Sequence, residues 1–187
     1  MGKTIDERQW AKRFEEWTES LPGDVQATFG LLTNEAIMQP GRRYLAGALS
    51  YTLTQLDLIP DHEKWGAVDD AFVLRIAYGL AAEHAGKTST EDASRFARMT
   101  HDEDQLRDLL EDQLYAKLRR YVIELADKEV RGRTVDHILS DERARKDLKR
   151  ELDVQTKKMK SVHADNDKER EAIVVSVLSY LKMKLGA

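Results

Sequence analysis

Apolar residues recur every three or four positions along most of this chain and almost nowhere alternate. Trp10, Phe14, Trp17 and Leu21 fall at helical spacing, which predicts an amphipathic first helix over residues 4 to 20. The turn-forming string LPGD at 21–24 reads as its end. Val25, Phe29, Leu32 and Ala36 repeat the pattern in a second helix, closed by Pro40-Gly41. Residues 42 to 58, RRYLAGALSYTLTQLDL, predict a third helix, with Ala46, Ser50 and Thr54 on one face and small enough for close helix approach. Pro60 should stop it, because proline disfavours helical geometry in the residue before it. Residues 68 to 85 predict a fourth, with Gly86 as a left-handed cap.

Beyond Gly86 the chain becomes more polar. Thr88 and Glu91 have the spacing of a capping box. A second start is expected at THDED, where Thr100 caps and acids suit the positive helix end. From there Leu106, Leu110, Leu114, Leu118, Tyr121 and Leu125 form one stripe, which carries the helix to about Val130. Arg131-Gly132-Arg133 breaks it. A polar helix over 141–160, with Leu148 and Leu152 inward, and a last helix over 167–185 complete the pattern. The β-branched run IVVSV is the one strand-like stretch, and a lone strand would leave its backbone groups unpaired. The expected fold is therefore all-α: a single domain over 1–187, a multi-helix bundle of seven or eight helices with a central antiparallel helical hairpin at 43–85 and a more polar helical part at 88–187. Leu45, Leu49, Leu53, Leu56, Phe72, Val73, Ile76 and Leu80 are its expected core.

Composition sharpens this picture. Three prolines and ten glycines in 187 residues are too few turn formers for many short strands. A net charge of −4 gives no basic excess, so no nucleic-acid partner is expected. The absence of cysteine removes disulfides, thiolate zinc sites and cysteine nucleophiles, and fits a reducing cytoplasm. The amino-terminal residues show neither the apolar stretch of a secretory signal nor, with Asp6 at the sixth position, a myristoylation motif. No window has the roughly 18 uninterrupted apolar residues of a membrane span.

The densest chemistry lies at DLIPDHEKWGAVDD, residues 57–70, with five acids between two apolar helices. Asp69 and Asp70, at the start of the fourth helix, are suited to accept its free backbone N–H groups, and Asp61 to organise the turn after Pro60. Asp57 falls in the last turn of the third helix, where a carboxylate is disfavoured by roughly 0.3–1 kcal/mol, and so needs compensation. It would cap the neighbouring helix or pair with Lys64, Arg42, Arg43, Arg75 or a metal ion. Arg75, alone in AFVLRIAY, is the natural internal counter-ion. The alternative chemistry is a hard-metal site of Asp57, Asp61, Asp69 and Asp70, whose oxygen-only ligands suit magnesium, manganese or calcium.

The strings DLIPD at 57–61 and GAVDD at 66–70 resemble the YkvA-like family of bacterial domains of unknown function, over about residues 43–82. The resemblance implies a helical hairpin, a structural motif of Asp57, Pro60, Asp61, Gly66, Asp69 and Asp70, membrane association in many relatives, and no established reaction. Here the loop HEKW is polar where relatives carry an apolar one, and Gln55 stands where they carry proline. A helix of about 24 Å is also short of a roughly 30 Å hydrocarbon layer.

Other motifs carry less. AAEHAGKT at 81–88 fits a permissive phosphate-loop pattern but lies at a helix end, not between a strand and a helix. His101-Asp102 matches the metal-binding dipeptide of all-α phosphohydrolases without the further ligands such a site needs. No carboxylate stands three residues before a histidine, and neither H-E-x-x-H nor G-x-S-x-G occurs. Residues 101–112 carry six acids, whereas residues 141–160 carry eight bases against five acids. They read as solvated faces, or as surfaces packing on each other or on another subunit. KKMK at 157–160 is a short basic string open to anionic lipid or nucleic acid.

Together these features point to a cytoplasmic, non-catalytic helical interaction or scaffold protein with no cofactor, acting on a protein partner or as a homo-oligomer. The alternatives are a divalent-metal-binding protein or metal-dependent hydrolase using the acidic bend, and a protein peripherally associated with a membrane surface.

Overall fold

A computed structural model describes residues 6–54, 57–60 and 62–186. Within them the chain forms seven helices and no strand; only two isolated backbone bridges occur, Ile37 with Ala85 and Val130 with Arg133. The first expected break does not occur: α1 runs from Glu7 to Leu31 straight through Pro22. An internal proline costs about 3 kcal/mol, but the apolar stripe keeps its register across it. Phe14, Trp17, Leu21 and Val25 are all buried on one side, and bending the chain at Pro22 would divide that face. Pro40 and Gly41 likewise do not end a helix. They stand in the first turn of α2 (Gln39–Tyr51), where proline's missing N–H is not needed.

Helix α2 is shorter than its pattern. It stops at Tyr51, and Leu53, Leu58 and Ile59 beyond it are buried. Side chains draw the backbone away from helical bonding there. Thr52 Oγ1 donates to the Leu49 carbonyl at 2.9 Å, and the Leu58 N–H turns to the Tyr51 hydroxyl at 2.8 Å. Helix α3 (Val68–Ala82) follows. Gly41 near the start of α2 faces Ala81 and His84 at the end of α3, while Tyr51 at the other end bonds Asp69. The two helices are therefore antiparallel, as expected. Of the expected core, Leu45, Leu49, Leu53, Phe72, Val73, Ile76 and Leu80 are buried; Leu56 lies outside the described residues. Gly86 is not a left-handed cap. Its N–H bonds the Ala36 carbonyl at 2.7 Å, tying the end of the hairpin to the loop after α1.

Helix α4 (Thr90–Leu125) begins one residue later than the capping-box reading, with Ser89 accepting from the Asp92 N–H at 3.1 Å. Thr100 starts nothing. It lies within α4 and its hydroxyl donates to the Phe96 carbonyl at 2.9 Å, because Phe96, Met99, Asp102 and Leu106 continue one buried face past it. The interruption comes at Glu111, with φ 57 and ψ 164, a region populated almost only by glycine and costing other residues roughly 1–3 kcal/mol. In a straight helix Glu103 and Tyr115 would stand about 18 Å apart along the axis. Here the Tyr115 hydroxyl donates to Glu103 Oε1 at 2.6 Å, so the second arm of α4 folds back on the first. The expected break at Arg131-Gly132 is present, both residues having positive φ. Short α5 (Val135–Ser140), α6 (Glu142–Thr156) and α7 (Asp167–Leu185) follow, α7 closing on left-handed Gly186.

Packing brings the first and last helices together. Helix α1 contacts α2, α3, α6 and α7, and the buried side chains form one cluster from Ala11 to Leu181. Gly47 marks the closest crossing: a Cβ there would lie 3.0 Å from the backbone of Leu125 and Ala126 in the second arm of α4. No helix among the described residues is long and apolar enough to cross a membrane.

Candidate functional site

The acidic elbow is held by Asp69. It sits in the first turn of α3, whose N-cap is Ala67. Asp69 Oδ2 accepts from the Tyr51 hydroxyl at 2.6 Å and from the Ile59 N–H at 3.0 Å. One carboxylate oxygen thereby joins the end of α2, the connecting segment and the start of α3. Burial pushes the Asp69 carboxyl up to about 6, although the donors from Tyr51 and Ile59 act in the opposite direction. The Tyr51 phenol is raised well beyond its ordinary range by burial and then by the charges of Asp69 and Asp70.

The remaining elbow residues divide. Asp57 is half-buried and outside any helix, since α2 ends at Tyr51; the premise that it faces the negative end of its own helix is therefore corrected. Its charge reaches Tyr121, whose phenol is pushed up to about 12 by burial first and then by Asp69 and Asp57. The Pro60 carbonyl accepts the Glu63 N–H at 2.9 Å, and the buried Gly66 returns its N–H to the Glu63 carbonyl at 3.0 Å. Asp70 is buried. Asp61 lies outside the described residues. Among the described residues no three metal-capable side chains come together.

Arg75 does not serve the elbow. It is fully buried, with Nε donating to Asp102 Oδ2 at 3.1 Å, Nη1 to the Ala71 carbonyl at 3.1 Å, and the guanidinium 4.4 Å from the centre of the Trp17 ring. Burial lowers it to about 10, and the charges of Asp102 and Asp24 oppose the shift. Asp24, buried in α1, takes a hydrogen bond from Ser20 at 2.8 Å and pairs with Arg98. The His101-Asp102 pair is split by this arrangement: Asp102 points inward to Arg75, and exposed His101 meets Gln105 at 3.1 Å. The polar network through α1, α3 and α4 was missed by periodicity; the signal available was the lone arginine in an apolar helix.

Beside the elbow lies an open groove of about 650 Å³, between residues 62–70 and 155–163. His62, Lys64, Asp70, Lys158, Lys160 and His163 line it. The far wall is fixed to the body by Val162 N–H bonding Thr18 Oγ1 at 2.9 Å and Ala164 N–H bonding Glu15 Oε1 at 3.0 Å. The near wall is fixed by Lys64 pairing with Glu169 and by the Tyr180 hydroxyl donating to Glu63 Oε1 at 2.8 Å. Lys158, Lys160, His62 and His163 are exposed, whereas Glu63 and Asp70 are recessed. The rim is thus cationic and the acids sit behind it. Only the basic string at 157–160 was visible in the sequence; its juxtaposition with 62–64 is a product of the fold.

Helix α6, with the basic segment, packs chiefly on α1 and α5, while α4, with the acidic one, packs chiefly on α2, α3 and α7. By architecture the chain is an all-α multi-helix bundle built on an antiparallel hairpin. No family model, curated protein or solved structure matches it.

Proposed function

We propose that this is a non-catalytic helical interaction module of the cytoplasm whose groove beside the elbow receives an acidic segment of a protein partner. The observation carrying this reading is the division of labour among the polar groups. The buried ones, Asp69, Arg75, Asp102 and Asp24, are spent on joining helices. The groove, by contrast, presents exposed Lys158 and Lys160 with two histidines. Complementary charge of this kind steers encounter and fixes register.

Fluorescence anisotropy with a labelled twelve-residue peptide rich in glutamate and leucine tests this. Binding at low ionic strength, weakened in 0.5 M salt and lost in the double variant Lys158→Glu/Lys160→Glu, is the expected result. A peptide that the native protein ignores sinks the reading. Co-sedimentation with phosphatidylserine vesicles in place of peptide binding moves the site to a membrane surface.

A further inference from the structure

At Glu111 the sequence and the fold pull in opposite directions. From Asp108 to Tyr115 the chain reads DLLEDQLY, with neither glycine nor proline, and Leu106, Leu110, Leu114 and Leu118 hold helical spacing straight through it. Such a string favours an unbroken helix. The fold instead places Glu111 at φ 57 and ψ 164, a conformation suited to glycine, and turns the chain back there. This residue is also the only covalent link between two halves that are otherwise joined by side-chain and backbone contacts. Arg119 with Glu83, Gln26 with Asp153, Thr18 with Val162 and Tyr180 with Glu63 all cross from one side of the hinge to the other.

We propose that two copies of this chain exchange the segment after Glu111. Relaxing Glu111 to helical geometry would make α4 a single straight helix of 36 residues, and each copy's second half would dock on the other's first half. Every contact that joins the halves in one chain is then remade between chains. The closed and exchanged forms differ chiefly at the hinge, where helical hydrogen bonds replace a disfavoured backbone conformation, and in the entropy of association. Short hinges under strain favour such exchange. Nothing here depends on the basic groove, so failure of one reading leaves the other standing.

The chain contains no cysteine, so introduced thiols report alone. Full-length Glu83→Cys and Arg119→Cys chains are mixed, unfolded in urea, refolded together and treated with a short bis-maleimide. Exchange yields a covalent heterodimer, because positions 83 and 119 meet across chains. The same pair of chains is then made with Glu111→Ala, a helix former, and with Glu111→Gly, which accepts the turn and disfavours the helix. The heterodimer yield should be at least about tenfold higher for alanine than for glycine. Circular dichroism establishes that each variant is folded, and Glu111→Gln replaces alanine where it is not. No heterodimer with the native or alanine hinge, or equal yields for alanine and glycine, overturns the proposal.

Discussion

The Tyr51 hydroxyl donates to Asp69 Oδ2 at 2.6 Å while accepting the Leu58 N–H at 2.8 Å, so a single oxygen atom links the end of α2, the elbow and the first turn of α3. Tyr51→Phe removes both bonds and leaves a carboxylate and an amide under-satisfied in the interior. Loss of roughly 2–4 kcal/mol is expected, read from the midpoint of denaturant unfolding. A loss below about 0.5 kcal/mol would mean that this link does not hold the elbow.

The same carboxyl makes stability depend on pH. Its folded value, about 6, lies above its ordinary value of 3.8. The folded protein therefore holds this proton more tightly than the unfolded chain does. The contribution of Asp69 is fully present below pH 4 and is lost as pH rises through 6. Native protein minus Asp69→Asn, compared by urea unfolding between pH 4 and 7, should show a difference that shifts against the native protein with rising pH. A flat difference would contradict the raised value.

Arg75 and Asp102 should behave as a buried ion pair. Asp102→Ala leaves the guanidinium inside without its carboxylate, at a cost of about 3–5 kcal/mol. Replacing both, as Arg75→Met with Asp102→Leu, should cost much less than the sum of the single losses. Thermal and chemical unfolding of the four proteins in the cycle measure the coupling, and simple additivity would contradict it.

Two glycines in helices give opposite expectations. At Gly47 a Cβ meets the backbone of Leu125 and Ala126 at 3.0 Å, so alanine must push α2 and α4 apart. At Gly79 a Cβ would collide with the Glu103 carboxylate, the end of a flexible side chain that can swing away at the cost of its bond to Tyr115. Gly47→Ala should therefore lose roughly 1–2 kcal/mol even after the gain in helix propensity, and Gly79→Ala should stay within about 1 kcal/mol of the native protein. Melting temperatures of the two variants, ranked in reverse, would refute the packing argument.

Helix identity and inward faces were legible wherever a single face was buried over several turns. The stripe of α4, the hairpin core and the boundaries of α7 follow directly from spacing. The misreadings at Pro22 and Thr100 share one cause, since each placed a break from local chemistry alone; the early end of α2 and the turn at Glu111 run the other way, interrupting spacing that continues past them. Pro22 and Thr100 look like boundaries in isolation, yet each lies within an apolar face that continues in register, and burial of that face outweighs a local preference of a few kcal/mol. The candidate site was half legible. DLIPD and GAVDD marked the elbow, but the donors that occupy Asp69 come from Tyr51 and Ile59, and no periodicity reveals a hydrogen bond across a turn.

Spacing and composition by themselves determined that this chain is helical, that α2 and α3 turn on an acidic elbow, and which side chains face inward, because helix periodicity is written in neighbouring residues. Only the tertiary structure decided that Asp69 joins Tyr51 and Ile59 at the elbow, that Arg75 belongs to Asp102, that α4 doubles back at Glu111, and that residues 158–163 come beside 62–64. Those outcomes depend on contacts between residues far apart in the chain, where burial and charge pairing at one place override what the local sequence would prefer.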